Sequence, residues 1–565
     1  MSPRFLLPLG IALLGYTALV PAAASAQTSC AGLASLNLPE VTKIASQSVP
    51  AGTFAPPDGS APVTGLPTFC RVSITVLPSI NIEVWLPDSA SWNRRYEGEG
   101  GGGYAGSISW SALGTALTLG FATASTDTGH SNSNPAQTGG TFALTPDDVL
   151  NVKLINDFAS RSLHELALKA KQVILAYYGV PPEYSYWLGC STGGRQGLIE
   201  AQRYPADYDG IVAGAPAINW DRFIPAELWP EVAMNLEVGA PIAASKLNAA
   251  TNAAIASCDA IDGVTDGVID NPQRCTFDPI VLQCDSAGAP TDGTCLTPQE
   301  VSAVRKIWDG PRVTDLSGNP TGRRLWYGLE RGASLTSLAG STPFSISVQH
   351  FQYWIQQNPN FDWHTLTYAS YVSNFIASEL KFHDVIGSDN PDLSQFRNRG
   401  GKLIIYHGWA DQLIFPLGTV NYFERVQNTL GGNVNDFARL FMAPGVGHCG
   451  GGPGPNAFVR GAAPVPADPT HDLSLAMINW VENGLAPASV IATKYVGDNP
   501  ANGVLRTRPL CVFPAEARWT GNGSTDNAAN FACVTPGDVP AIYNTDPVLP
   551  DYGDQSGSAQ ALSHP

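Results

Sequence analysis

Strand-type and helix-type patterns take turns along this chain. The run 74–86, ITVLPSINIEVWL, reads as strands near the start of a sheet, and 120–125, GFATAS, reads as another. Residues 157–178, DFASRSLHELALKAKQVILAYY, place apolar side chains at helical spacing with no Pro or Gly, which predicts a helix. YSYWL at 184–188 predicts a strand, and GLIEAQR at 197–203 continues as helix. DGIVAGA at 209–215 predicts a buried strand, and KLIIYH at 402–407 and ARLFMA at 438–443 predict two more. Strands alternating with helices mean an α/β core with a mostly parallel sheet. Residues 218–386 break this rhythm with four cysteines, many turns and an aromatic cluster from Phe344 to Trp363. They read as an inserted domain, which leaves 27–217 and 387–565 as the α/β unit around it. No internal repeat is present, and the tail after about residue 535, rich in Gly, Ser, Pro and Asp, reads as loose.

Composition narrows the setting. A net charge of -17, with only 14% charged residues and no Lys/Arg cluster, argues against nucleic acid or an anionic membrane as partner. The first 26 residues carry Arg4, an apolar run from Phe5 to about Val20 and an Ala24-Ser25-Ala26 cleavage pattern. That is a secretory signal peptide, excluded from the fold, and it predicts a secreted or periplasmic protein. No later stretch offers about 18 uninterrupted apolar residues. Ten cysteines follow the signal, an even count that in an exported chain reads as a disulfide set; with no C-x2-C pair, structural zinc is the poorer reading.

The chemistry begins at Gly189-Cys190-Ser191-Thr192-Gly193, a G-x-S-x-G between a predicted strand and a predicted helix, as the nucleophile elbow requires. A serine hydroxyl needs a base, and the base needs an orienting carboxylate. KLIIYHGWAD ends in Asp411 and ARLFMAPGVGHCG contains His448; both follow a strand by a few residues, in the order Ser, Asp, His. His407 and His130 are the alternative bases; the first ends a strand and reads as structural, the second as a loop histidine. Cys190 precedes the serine and Cys449 follows the histidine. If Ser191 and His448 touch, a Cys190–Cys449 bridge would pin nucleophile to base, because a disulfide holds its Cβ atoms about 3.8 Å apart. The oxyanion needs two N–H donors: Thr192, directly after the nucleophile, and a glycine in GEGGGGYAG at 98–106.

At these residues the chain resembles the tannase and feruloyl esterase family of α/β-hydrolases. Cys190-Ser191, Asp411 and His448-Cys449 resemble the family's arrangement, and GCSTGGRQG, YDGIVAGAP, FRNRGGKLIIYHG and PGVGHCGGGPG are similar to family segments, over about residues 30–535. The family also contains a hydrolase of mono(2-hydroxyethyl) terephthalate. The resemblance implies an α/β-hydrolase core with 218–386 as the lid, and Gly103 beside Thr192 as the oxyanion donors. It implies local pairs Cys30–Cys70, Cys258–Cys275, Cys284–Cys295 and Cys511–Cys533. CDAIDGVTDGVID resembles the family's calcium loop, which implies ligation by Asp259, Asp262 and Asp266 with the carbonyls of Val264 and Val268; carboxylates and carbonyls suit a hard cation.

The expected protein is a secreted serine esterase with structural Ca2+ in the lid and no organic cofactor. Its substrate is a small aromatic ester, first of all a sugar-linked feruloyl ester, with galloyl esters and phthalate-type or terephthalate monoesters as alternatives. Phe344, Phe351, Tyr353, Trp354 and Trp363 are candidates to stack on the acyl ring. Rivals from other classes are a non-catalytic binder of plant-wall material and a peptidase on the same fold. The sequence assigns no oligomeric state.

Overall fold

The computed structural model describes residues 27–286, 288–314, 320–461, 464–537 and 542. The signal peptide expected over residues 1–26 lies outside the described residues, as does almost all of the tail beyond residue 537. Nine strands form one sheet: β1 (Val41–Val49), β2 (Phe69–Val76), β3 (Ile80–Pro87), β4 (Arg95–Glu99), β5 (Ala122–Thr126), β6 (Tyr184–Cys190), β7 (Gly210–Gly214), β8 (Lys402–Gly408) and β9 (Ala438–Ala443). Their spatial order is β1-β2-β3-β5-β4-β6-β7-β8-β9. The first three form an antiparallel meander, β5 runs antiparallel to β3, and from β5 to β9 every pair is parallel. This is an α/β-hydrolase sheet.

The burial pattern explains the strand sequences. β7 is buried at all five positions, and β8 at six of seven, because both faces of the parallel region are covered. Leu403 and Ile405 point into the larger core, and Ile404 and Tyr406 into the smaller one on the opposite face. β1 at the edge has only Val49 buried, and presents Lys43 and other polar side chains outward.

Helix α1 (Trp110–Thr118) follows β4. The helix expected over 157–178 starts earlier: an α-turn at Val152–Asn156 runs into a π-turn at Asp157–Arg161, and only then comes α2 (Ser162–Tyr178), ended by Gly179 at φ 75°. The wide turn falls where buried Asp157 pairs with Arg161 at 2.8 Å. α3 (Thr192–Arg203) begins at once after Ser191, earlier than the helical pattern indicated, since Gly193 and Gly194 hide its first turn from a propensity reading.

Residues 218–386 contribute no strand to the nine-stranded sheet. Their helices include α4 (Trp220–Glu227) and α5 (Tyr368–Ile386), which pack together: Tyr371 donates to the Pro225 carbonyl at 2.9 Å and Ser378 to that of Asp221 at 2.7 Å. After β9, helix α6 (Leu473–Asn483) covers the smaller core with Met477 and Trp480.

Truncating the larger core tests this description. Ile405→Ala should lower unfolding stability by about 2–5 kcal/mol in a denaturant titration, from lost burial plus the cavity; a loss under about 1 kcal/mol would contradict a packed sheet interior at that point.

Candidate active site

Ser191 sits at the β6–α3 junction with φ 63° and ψ -125°, a conformation a non-glycine residue adopts only when held. Three backbone bonds hold it: its N–H donates to Gly214 O (2.9 Å), and its carbonyl accepts from Arg195 (3.1 Å) and Ala217 (3.0 Å). The flanking glycines permit the close packing. A Cβ on Gly189 would lie 2.5 Å from the Gly193 carbonyl oxygen, and one on Gly100 would lie 2.5 Å from Gly193 Cα. The elbow and the 98–106 loop therefore touch backbone to backbone.

That loop is tied to α3 by two side chains. Thr192 Oγ1 donates to the Gly103 carbonyl at 2.6 Å, and Gly101 N–H donates to Gln196 Oε1 at 2.9 Å. Thr192 and Gly103, the two expected oxyanion donors, are thus bonded neighbours, with Gly103 at φ 54°. The lid reaches over them. Ile346 Cδ1 lies 3.4 Å from where a Gly103 Cβ would stand, and Tyr104 donates to the Ile346 carbonyl at 3.2 Å.

On the far side of the sheet's upper end, Asp411 follows β8 and is fully buried. Its Oδ1 accepts the N–H groups of Leu413 (2.8 Å) and Ile414 (2.9 Å). Its Oδ2 contacts His448 Nδ1 at 2.8 Å and His407 Nε2 at 3.1 Å. Burial would raise the Asp411 carboxyl, but the charge of His448 and the two imidazole bonds hold it well below the usual carboxylate range. An ionised carboxylate only accepts, so His448 carries its proton on Nδ1 and leaves Nε2 with a lone pair. Burial alone would lower His448; the Asp411 charge and hydrogen bond reverse this, and its pKa stands above the ordinary 6.5.

Cys190 and Cys449 are bonded, with Cα atoms 5.9 Å apart, so the residues carrying the candidate nucleophile and base are next-door neighbours of one covalent link. Cys449 itself adopts φ 60°. No Ser191 Oγ–His448 Nε2 hydrogen bond is formed in this geometry; such bonds commonly tighten only with substrate present. The other eight cysteines pair as Cys30–Cys70, Cys258–Cys275, Cys284–Cys295 and Cys511–Cys533, and none of the described cysteines is free.

Pattern reading gave His407 a structural role and missed two other supports of this site, Gln412 and Gln196. His407, four residues before Asp411, bonds Asp411 and takes a second contact from Thr419 Oγ1 at 2.8 Å on Nδ1, which makes it part of the acid's cradle. Gln412 Oε1 accepts the His448 backbone N–H at 3.1 Å, and Gln196 holds the glycine loop. Only adjacency to Asp411 could have pointed to Gln412. His130 lies elsewhere, stacked on Phe142 at 3.9 Å between ring centroids and buried. Of the five candidate stacking residues, Phe351, Trp354 and Trp363 are buried in the core; Trp354 packs on Tyr104, Phe142 and Phe158. Phe344 and Tyr353 are half-buried.

In the acidic lid loop, Asp259 accepts N–H bonds from Asp266 (3.1 Å), Gly267 (3.0 Å) and Val268 (3.3 Å), and Asp262 accepts one from Val264 (2.9 Å). Asp266 pairs with Arg506 and Arg508. Among the described residues no three acidic, histidine or cysteine side chains gather closely enough to form a metal-ligand set. The donor chemistry nevertheless suits a hard cation, and next to the loop half-buried Asp270 has its Oδ2 buried and unpartnered, its carboxyl pushed up to about 8 by desolvation and by the charges of Asp262 and Glu516. Val268 also packs on Gly445, in the loop that carries His448.

A strained serine elbow, a glycine loop beside it and an Asp–His pair after the last two parallel strands define an α/β-hydrolase. Residues 62–534 match the family described as tannase and feruloyl esterase, and the chain belongs to this family of carboxylic-ester hydrolases. It is 37% identical over 552 residues to a probable feruloyl esterase of Arthroderma benhamiae, covering 94% of this chain and 98% of the relative. It is 32% identical to the mono(2-hydroxyethyl) terephthalate hydrolase of Piscinibacter sakaiensis, covering 84% and 86%. The crystal structure of feruloyl esterase B from Aspergillus oryzae superposes with a TM-score of 0.78 at 30% identity, covering 90% of this chain and 100% of that one.

The His448–Asp411 pair predicts the acid limb of the pH profile. The base form of His448 exists only above its pKa, and that pKa is raised, so kcat/KM should fall with decreasing pH through a midpoint above 6.5. Asp411→Asn should move that midpoint down and reduce kcat roughly 10⁴-fold. A wild-type midpoint at or below 6.5 would contradict the pairing.

Proposed function

We propose that this chain is an exported serine esterase acting on esters of aromatic acids, a feruloyl ester first among them. Ser191 Oγ attacks the ester carbonyl while His448 Nε2 takes its proton. The N–H groups of Thr192 and Gly103 receive the oxyanion. His448 returns the proton to the leaving alcohol, and Asp411 keeps the imidazole in the Nδ1–H form throughout. Water then repeats the sequence on the acyl-enzyme. The observation that carries this reading is the Asp411–His448 contact joined, through Cys190–Cys449, to a serine in the elbow conformation. The 37% identity to a probable feruloyl esterase supports the aromatic acyl group.

Export fits the chemistry of the cysteines: five disulfides suit an oxidising compartment. No helix among the described residues is long and apolar enough to cross a membrane. The acidic lid loop would take calcium on Asp259, Asp262 and Asp266 with the carbonyls of Val264 and Val268. The ion would supply structural charge neutralisation and no step of the reaction.

Two experiments test these statements. Ser191→Ala should lose roughly 10⁴- to 10⁶-fold in kcat on methyl ferulate, methyl gallate and a terephthalate monoester while keeping its melting temperature. Retained turnover in the purified variant would rule out this nucleophile, and the order of kcat/KM across the three esters in the wild type ranks the acyl groups. Added Ca2+ should raise the melting temperature in proportion to the logarithm of its concentration, and Asp262→Asn should remove the effect. A wild-type melting temperature indifferent to millimolar Ca2+ and to chelator would remove calcium from the description.

A further inference from the structure

A cavity of about 510 Å3 borders the site, within the range of about 300–1,000 Å3 typical of small-molecule pockets. Its walls include Glu99, Ser109, Trp110, Thr115, Leu188 and Arg460, and no described residue of 218–386. Contacts fix its place. Glu99 ends β4 and stands opposite Leu188 of β6, which is three residues, at most about 11 Å along the chain, before Ser191. Leu188 also lies two residues before Cys190, which is bonded to the neighbour of His448. Ser109 Oγ donates to the Gly100 carbonyl at 2.8 Å, and Gly100 N–H donates to the Leu188 carbonyl at 3.0 Å. Gly100 in turn packs against Gly193 in the first turn of α3. One wall of the cavity is thus within a few residues of nucleophile, base and oxyanion loop alike. Ile346 of the 218–386 segment covers that loop farther on, at Gly103.

The walls are polar but balanced in charge. Glu97, on the same strand face as Glu99, pairs with Arg460. Glu99 is 4% exposed, and no hydrogen-bond donor of the described residues reaches its carboxyl. Burial, and then the charge of Glu97, push that carboxyl well above the ordinary range, so it is a neutral acid that can both give and accept a hydrogen bond. Ser60, Ser111 and Thr115 add hydroxyls at the exposed mouth. Trp110 adds a flat apolar wall, fixed by its Nε1–H donating to Asp58 at 2.7 Å. A charged ligand would find its counter-charge already engaged. An apolar one would desolvate Glu99 without supplying hydrogen bonds. A neutral polyhydroxylated ring supplies them and lays its apolar face on an aromatic wall.

We infer that this cavity is a carbohydrate subsite, which holds the sugar carrying the ester while the ester carbonyl lies at the oxyanion loop. This rests on the esterase reading above. Sugar hydroxyls satisfy the Glu99 carboxyl, and the contacts made by this non-reacting part of the substrate hold the ester in register with Ser191. A methyl ester leaves the cavity to water and forgoes that contribution.

The test compares the wild type with Thr115→Trp, which fills the cavity from its mouth, and Thr115→Ser, which keeps both space and hydroxyl. Two quantities are measured: kcat/KM on methyl ferulate and on a feruloylated arabinose–xylose oligosaccharide, and calorimetric binding of the same oligosaccharide without its feruloyl group. The wild type should favour the sugar-linked ester by about tenfold or more and bind the unesterified oligosaccharide saturably. Thr115→Trp should abolish that preference, chiefly through KM, and abolish the binding; Thr115→Ser should retain both. A wild type with neither preference nor binding would overturn the assignment. So would a Thr115→Trp variant that loses activity equally on both esters while still binding the oligosaccharide, which would mark the loss as structural. A wild type inactive on both esters that binds the oligosaccharide, and loses that binding in Thr115→Trp, would support the subsite and defeat the esterase reading.

Discussion

The site depends on bringing together loops that the sheet holds apart. β6, which ends at the candidate nucleophile Ser191, and β9, which leads to His448, are separated by β7 and β8. At about 4.8 Å per strand, that places their ends roughly 14 Å apart. The Cys190–Cys449 bond brings the two Cα atoms to 5.9 Å, so the histidine loop must fold back across two strands to meet the elbow. The positive φ at Cys449, and the run of glycines from Gly450 to Gly452 beside it, are how the backbone makes that return. A covalent link spanning 259 positions restrains the unfolded chain strongly, by about 5 kcal/mol on the loop-entropy account. Its value to the reaction lies in preorganisation, because small misplacements of reacting groups have large effects on rate.

Around that link the polar groups are arranged so that each catalytic candidate has one available role. Asp411 is saturated by two backbone N–H groups and two imidazoles, which keeps it ionised despite complete burial. His407 supplies part of this cradle and is itself fixed by Thr419, so it cannot serve as the base. His448 is left with one free nitrogen, aimed by Asp411 at the side chain and by Gln412 at the backbone. The oxyanion loop is likewise held from α3, by Thr192 and Gln196. Acid, base and oxyanion donors are each positioned by residues adjacent to the catalytic ones in sequence, an economical way to give a second layer of support.

The lid is joined to this core at three kinds of contact. It is covalently continuous with the elbow through 215–219; it is hydrogen-bonded at Tyr104–Ile346; and Gly140 N–H donates to Gln349 Oε1 at 2.9 Å. Its acidic loop presses Val268 against the turn at Gly445. The 218–386 segment is thus tied to the core beside the 98–106 loop by hydrogen bonds as well as by packing.

Much of this was legible in the residues. Alternating apolar runs announced the parallel sheet because β7 and β8 are buried on both faces and tolerate little but apolar residues. G-x-S-x-G between strand and helix, and Asp411 and His448 each just after a strand, could be located because strand ends and tight turns have strong local signatures. The paired cysteines beside Ser191 and His448 carried distance information that periodicity never does. What the chain could not disclose is decided by packing between distant segments. Phe351, Trp354 and Trp363 look like ring-stacking residues by type, yet the fold consumes them as core, since an aromatic side chain serves either purpose. His407, Gln412 and Gln196 acquire their roles only through bonds formed across turns and loops. Glu227 reads as one more helical glutamate until the tertiary structure buries it with its Oε2 unpartnered. Sequence by itself fixes which groups can do chemistry and roughly where each strand ends. Tertiary structure alone decides which of them meet, because burial and pairing depend on neighbours that are far away along the chain.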